Sequence, residues 1–168
     1  TQTNHLDEET QKVMEEYITV AIFGVDNRSN GNYDSGNSDS IMIANIDNNT
    51  GEIKIVSVYR DTCMDVDGDD TLRKCNYAYN HGGAEEAVNM LNRNLDLDID
   101  GYVAVDFYAL VGAIDALGGV EIELTSQEAR IMNQSYIDLT ADIVGKKSSH
   151  VTAGVHNLDG VQAVSYCR

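Results

Sequence analysis

The sequence contains no proline, so its turns must be built by glycine, asparagine and aspartate. Basic residues are scarce: 11 Lys and Arg stand against 28 Asp and Glu, for a formal net charge of −17. That balance excludes non-specific nucleic-acid binding, which needs a basic face. It also means that an anionic ligand must be held by a few local cations against the field of the whole molecule. No apolar run approaches the roughly 20 residues that cross a bilayer. No leader-peptide pattern is visible from Thr1 onward, as would hold for an excised fragment with an anchor upstream. Three cysteines are an odd count and assign no redox compartment. What remains is a chain of 168 residues, 42% of them apolar. That suits one globular domain with its own core and excludes a disordered tail.

Residues 1–16 are polar, with a weak helical pattern, and read as a stalk or leading helix. YITVAIFGV (17–25) is almost continuously apolar and β-branched, which predicts a strand buried on both faces. Residues 40–46 and 52–59 read as two further strands joined by the Asn48-Asn49-Thr50-Gly51 turn. Residues 61–73 are acidic and irregular. Ala84, Ala87, Val88, Leu91 and Leu95 recur at helical spacing. A short strand (101–106) leads to a helix (107–117), with Asp106 as its N-cap and Gly118-Gly119 as its stop. Val120 to Leu124 returns as a strand, Thr125 and Glu128 form a capping box, and Asp159 caps a last helix. Helices and strands interleave around at least one hairpin, so the expectation is an α/β domain with a mixed sheet over 17–168.

Chemistry-bearing residues gather at predicted strand ends, where open α/β sheets place ligands. Asp26 offers hard oxygens to a divalent cation and Arg28 a phosphate fork, although on residue chemistry alone a loop ion pair is the better reading. Asp39, in SDS (38–40), would share one magnesium with Asp26 if the two strand ends are neighbours; otherwise it caps a turn. Arg60 and Asp61 can bind phosphate and orient a hydroxyl, or form an ordinary surface pair. The run from Asp65 to Asp70 fails the calcium-loop pattern, with Asp70 where glycine is required and Asn76 where a bidentate glutamate belongs. It reads as a solvated acidic loop. Tyr77 and Tyr79 precede Gly82-Gly83, which would let backbone N–H groups approach an anion. His156 reads as a turn residue, and Arg168, just past the last helix, could bond terminal carbonyls or reach a phosphate.

Singly these motifs are weak; their order and spacing are specific. GVDNR (24–28), SDS (38–40), SVYRDT (57–62), KCNYAYNHGGAEEAV (74–88), VDFYALVGAIDALGGVEIEL (105–124) and GVHNLDGVQAVSYCR (154–168) together resemble the LytR–CpsA–Psr family. The resemblance implies an α/β/α layered domain with a central mixed β-sheet. It further implies a membrane-anchored, extracytoplasmic Gram-positive enzyme of cell-wall biogenesis. Such enzymes transfer teichoic acid, capsule or similar glycopolymers from undecaprenyl pyrophosphate to peptidoglycan. By that pattern Asp26 and Asp39 hold magnesium or manganese, and Arg28, Arg60 and Arg168 hold the pyrophosphate. Arg60, Asp61 and Asp39 are then the catalytic candidates, with Asp39 and Asp61 both open as the base. The prenyl tail would lie in an apolar groove opening near Arg60, between the sheet and two helices bearing Ala84, Ala87, Val88 and Leu91, and Leu110, Ile114 and Leu117. A monomer is expected.

Three features depart from the family. Asn37 stands where arginine is usual, and Tyr59 where proline is frequent. The chain stops at Arg168 where the family continues with further Arg and Gln residues, so a C-terminal truncation is expected. Two alternatives stay open: a polyprenyl-pyrophosphate pyrophosphatase, and a non-catalytic polyprenyl-lipid or glycan binding module. In an extracytoplasmic setting Cys63 and Cys75 are a disulfide candidate that would clamp the acidic loop, leaving Cys167 in the last helix.

Overall fold

The computed structural model describes residues 7–26, 33 and 36–168. They fall into two compact units, Thr1–Val105 and Asp106–Arg168. No helix among the described residues is long and apolar enough to cross a membrane.

The first unit opens with α1 (Glu8–Met14), capped by the Asp7 carboxylate. Three strands follow: β1 (Tyr17–Val25), β2 (Ser38–Asp47) and β3 (Ile53–Val58). After a small hairpin of β4 (Cys63–Asp65) and β5 (Leu72–Lys74) come α2 (Tyr77–Leu95) and β6 (Gly101–Val105). The sheet order is β3-β2-β1-β6. β1 is antiparallel to β2 and parallel to β6, so the sheet is mixed. The hairpin sits inside the segment expected to be irregular.

The sheet's two faces differ. On one, Ala21, Phe23, Val25, Ile41 and Ile43 are buried against Ala84, Ala87, Val88 and Leu91 of α2, and Phe23 meets Tyr79 edge-on at 5.4 Å between centroids. On the other face the ladder aligns Ile18 with Ile46 and Ile53, and Val20 with Ala44 and Ile55. Ile18, Ile53, Ile55 and Val103 there are exposed. Burial of β1 on both faces therefore holds for one face only, because α2 covers only one. Helix α2 is broken at Gly82 and Gly83; Gly83 has φ 69° and ψ −163°, a conformation essentially confined to glycine.

The second unit contains α3 (Phe107–Ala116), β7 (Val120–Leu124), α4 (Ser126–Ile131), a π-helical turn (Met132–Tyr136), α5 (Ile137–Val144), β8 (Gly154–Leu158) and α6 (Gly160–Tyr166). Asp106 caps α3, and both expected N-terminal devices close as capping boxes, Thr125 with Glu128 and Asp159 with Gln162. β7 pairs with β8 in a two-stranded sheet of its own. His156, read as a turn residue, lies in β8 opposite Ile122. Within this unit Leu110 and Ile114 pack, partly buried, on the core of Val111, Leu124, Ile137, Leu158, Val161 and Val164. Leu117 is exposed.

Candidate functional site

The site starts from a β-bulge. Gly24 pairs with Ser40, but Val25 pairs with Ser38, so Asp39 is the extra residue that the ladder ejects. Gly24 eases the close approach there, because a Cβ would stand 3.0 Å from the Ser40 Cβ. Asp26 follows directly, its N–H donating to the Asn37 carbonyl at 3.1 Å. Both aspartates expected to bind metal thus issue from the same end of the β1–β2 ladder. The donor set is all hard oxygen and carries a double negative charge, which fits magnesium or manganese. Beside Asp39, the Ser38 hydroxyl is fully buried and has no hydrogen-bond partner among the described residues.

Arg60 stands on the turn that leaves β3. Its guanidinium meets Asp39 at 2.9 Å and Asp61 at 3.9 Å, and Asp61 in turn accepts from Lys74 at 2.7 Å. All these side chains are about half-exposed. The Lys74 ammonium, with Arg60 behind it, holds the Asp61 carboxyl below the usual carboxylate range. The expected trio Arg60, Asp61 and Asp39 is therefore brought together beside a depression of about 370 Å³ lined also by Ser40, Ser57 and Tyr59. This depression is open and partly polar, and is not the elongated apolar groove expected near Arg60.

Nothing in the sequence pairs Lys74 with Asp61. The lysine reaches Asp61 because β5 runs antiparallel to β4, with Cys63 directly opposite Lys74. That register also corrects the disulfide: Cys63 and Cys75 are both free. The partner facing Cys63 is Lys74, and adjacent side chains on a strand point to opposite faces. Cys75 turns inward, where its thiol donates to the carbonyls of Tyr59 at 3.2 Å and Arg60 at 3.4 Å. Burial pushes that thiol's pKa up. Backbone bonds from Cys75 N to Thr62 O and from Asn76 N to Arg60 O brace the same turn. A thiol reagent is expected to modify Cys63 and Cys167 in the native protein, both being exposed, and to reach Cys75 only in denaturant. Intact mass with and without denaturant checks this; labelling of Cys75 in the native protein would contradict the bracing role.

Of the three arginines assigned to pyrophosphate, Arg60 lies in the first unit and Arg168 in the second, while Arg28 lies outside the described residues. The Arg168 guanidinium is 4.9 Å from the Phe107 ring centroid and 5.8 Å from that of Tyr136, and donates to the Thr140 hydroxyl at 3.4 Å. Two aromatic faces thus hold this cation in place. Tyr136 is delivered by the π-helical turn, a feature with no signal in the sequence. The acidic run from Asp65 to Asp70 is partly offset by Arg73, which meets Asp67 at 3.0 Å and Asp69 at 3.2 Å and, with the Thr71 N–H, lowers the pKa of the Asp69 carboxyl to about 2.

The sequence profile of the LytR_cpsA_psr family matches residues 1–168. The polyisoprenyl-teichoic acid–peptidoglycan teichoic acid transferase TagU of Enterococcus faecalis is 31% identical over 153 residues, which is 91% of this chain and 45% of that protein. TagV of Bacillus subtilis, with the same activity in its name, is 30% identical over 135 residues, 79% of this chain and 32% of its own length. The chain spans less than half the length of these relatives. Among solved structures, the LytR-CPS2A-psr family protein YwtF (TagT) with bound octaprenyl pyrophosphate lipid superposes with a TM-score of 0.68. It is 22% identical and is matched over 99% of this chain and 60% of its own. Crystalline B. subtilis TagV superposes with a TM-score of 0.69 at 25% identity, over 91% of this chain and 56% of that one.

Proposed function

The chain belongs to the LytR–CpsA–Psr family, and from that membership we propose that it carries the donor-side site of an extracytoplasmic transferase. The enzyme moves an anionic glycopolymer of the teichoic-acid class from undecaprenyl pyrophosphate to peptidoglycan. The observation that carries this reading is the linked array Asp39–Arg60–Asp61–Lys74 at the sheet end. In a chain of charge −17, Arg60 on its braced turn and Lys74 at the end of β5, linked through Asp61, bring two cations to one place where an anion could be held. The names of TagU and TagV and the lipid in the TagT structure support the same substrate class.

In the proposed reaction a peptidoglycan sugar hydroxyl attacks the phosphorus that bears the glycan, and the bond to the bridging oxygen breaks. Polyprenyl phosphate leaves with the electron pair. Catalysis then rests on alignment and charge neutralisation more than on covalent chemistry. Arg60 would bind the pyrophosphate oxygens, exchanging part of its contact with Asp39 for the ligand. Asp61 stays anionic between Lys74 and Arg60 and orients both cations; Asp39 and Asp61 both stand as acceptors for the hydroxyl proton. Asp26 and Asp39 would hold a divalent cation, which when bound supplies further neutralisation at the pyrophosphate.

The test uses the full-length protein with a lipid-linked teichoic acid precursor, with and without peptidoglycan. Polymer attached to peptidoglycan, and little free polymer, is the expected result. Release to water at equal rate in both arms would make the protein a pyrophosphatase instead. Binding of the precursor without turnover would make it a binding module.

A further inference from the structure

We propose that Tyr59 is a stacking platform for the first sugar of the lipid-linked glycan, and so a residue that sets which donor is accepted. This rests on the donor reading above and goes beyond it by assigning a sugar subsite.

β2 and β3 pair Ile41 with Val58 as their last rung, and Tyr59 leaves the end of β3 to line one depression with Ser40. On the other side Ser40 pairs with Gly24 of β1. By alternation Gly24 and Ser40 lie on the sheet face that α2 does not cover. Gly24 carries no side chain and Ser40 a small one, which leaves a low floor beside a single tall ring. Ser57, two residues before Tyr59, adds a hydroxyl on the same side.

Tyr59 is 84% exposed, so its ring has no packing role in the fold. Its backbone is nevertheless fixed: the Tyr59 carbonyl accepts from Thr62 N at 2.9 Å and from the Cys75 thiol at 3.2 Å. A free ring on a rigid base is suited to meet a ligand without a large ordering cost. The ring lines the same depression as Arg60, Asp39 and Asp61. A pyrophosphate held by Arg60 would place its glycosyl substituent within one residue's reach of this ring. Pyranose rings present polarised C–H groups on their faces, which complement the negative face of an aromatic ring. Their hydroxyls would find acceptors and donors in Ser40, Ser57 and the carboxylates. Apolar surface with a few convergent polar groups is the usual make-up of a small-ligand site.

The experiment compares binding of two probes to the full-length protein by calorimetry: farnesyl pyrophosphate, and the same lipid carrying one N-acetylglucosamine. The wild-type protein is expected to bind the glycosylated probe about tenfold more tightly, equivalent to ~1.4 kcal/mol. Tyr59→Ala should lose that preference while its affinity for the bare lipid stays within about twofold, and Tyr59→Phe should keep it. Equal loss for both probes, no loss for either, or loss in Tyr59→Phe would overturn the platform. If the wild-type protein binds neither probe, the donor reading itself fails and the subsite falls with it. Binding of both probes with no preference overturns the subsite alone.

Discussion

Arg60→Ala is expected to lower glycopolymer transfer by about 10²–10³-fold while leaving the fold intact. Fold and rate respond to Arg60 for separate reasons. Arg60 is half-exposed, and its bonds to Asp39 and Asp61 lie at the surface. Surface ion pairs of this kind contribute at most about 1 kcal/mol, so the melting temperature should hardly move. The loss in rate follows from removing a donor aimed at developing negative charge, which typically costs that many orders of magnitude. Arg60→Lys should recover only part, since an ammonium cannot reproduce the planar fork that spans two oxygens. A second variant separates the roles within the array. Lys74→Ala removes the main cause of the depressed Asp61 pKa, so that carboxyl should rise back toward its ordinary range. A depressed carboxylate keeps its charge until the pH falls through its folded pKa. The acid limb of the pH–rate profile should accordingly move to higher pH in Lys74→Ala. An Arg60→Ala protein with full transfer would return Arg60 to an ordinary surface pair.

The first unit's sheet was largely legible because its strands are long and apolar. β1 spans Tyr17–Val25 as read, and the turn at Asn48–Gly51 connects β2 to β3. The elements that escaped are short and polar. β4 and β5 have three residues each and sit among aspartates, so no period could show. β8 carries His156, which reads as a turn residue until Ile122 is seen opposite it. The division at Val105–Asp106 falls inside a strand-to-helix turn with an ordinary N-cap, and no linker composition marks it. The same holds for the site. Asp39, Arg60 and Asp61 were visible as polar residues ending apolar strands, whereas Lys74 and the inward thiol of Cys75 depend on hairpin register. Register is set by pairing partners far apart in sequence, and a one-residue slip reverses which face each side chain takes. That is why Cys63 and Cys75, well spaced on paper, are not bonded.

Gly160→Ala is expected to destabilise the second unit by about 3 kcal/mol, at the upper end of ordinary overpacking costs. In an open helix the same change would stabilise by up to about 1 kcal/mol, because alanine restricts the unfolded chain more than glycine. Here the sign reverses for a steric reason. Gly160 opens α6, is buried, and lets the helix lie directly on the backbone of α3. A Cβ would stand 2.8 Å from both the Cα and the carbonyl carbon of Val111, and closer still to the carbonyl oxygen. Backbone cannot rotate away as a side chain can, so α6 would have to move bodily. That shift would also stretch the bond from Gly160 N to Asp115 Oδ1, 2.9 Å long, whose carboxylate is shared with Lys146. Gly112→Ala provides the internal control: it lies in α3, and a Cβ there meets nothing within 4 Å. It should be neutral or mildly stabilising. Denaturant melts of the two variants give the two signs, and hydrogen exchange assigns the loss to residues 106–168. Equal, small effects from both substitutions would show that α3 and α6 do not pack backbone to backbone.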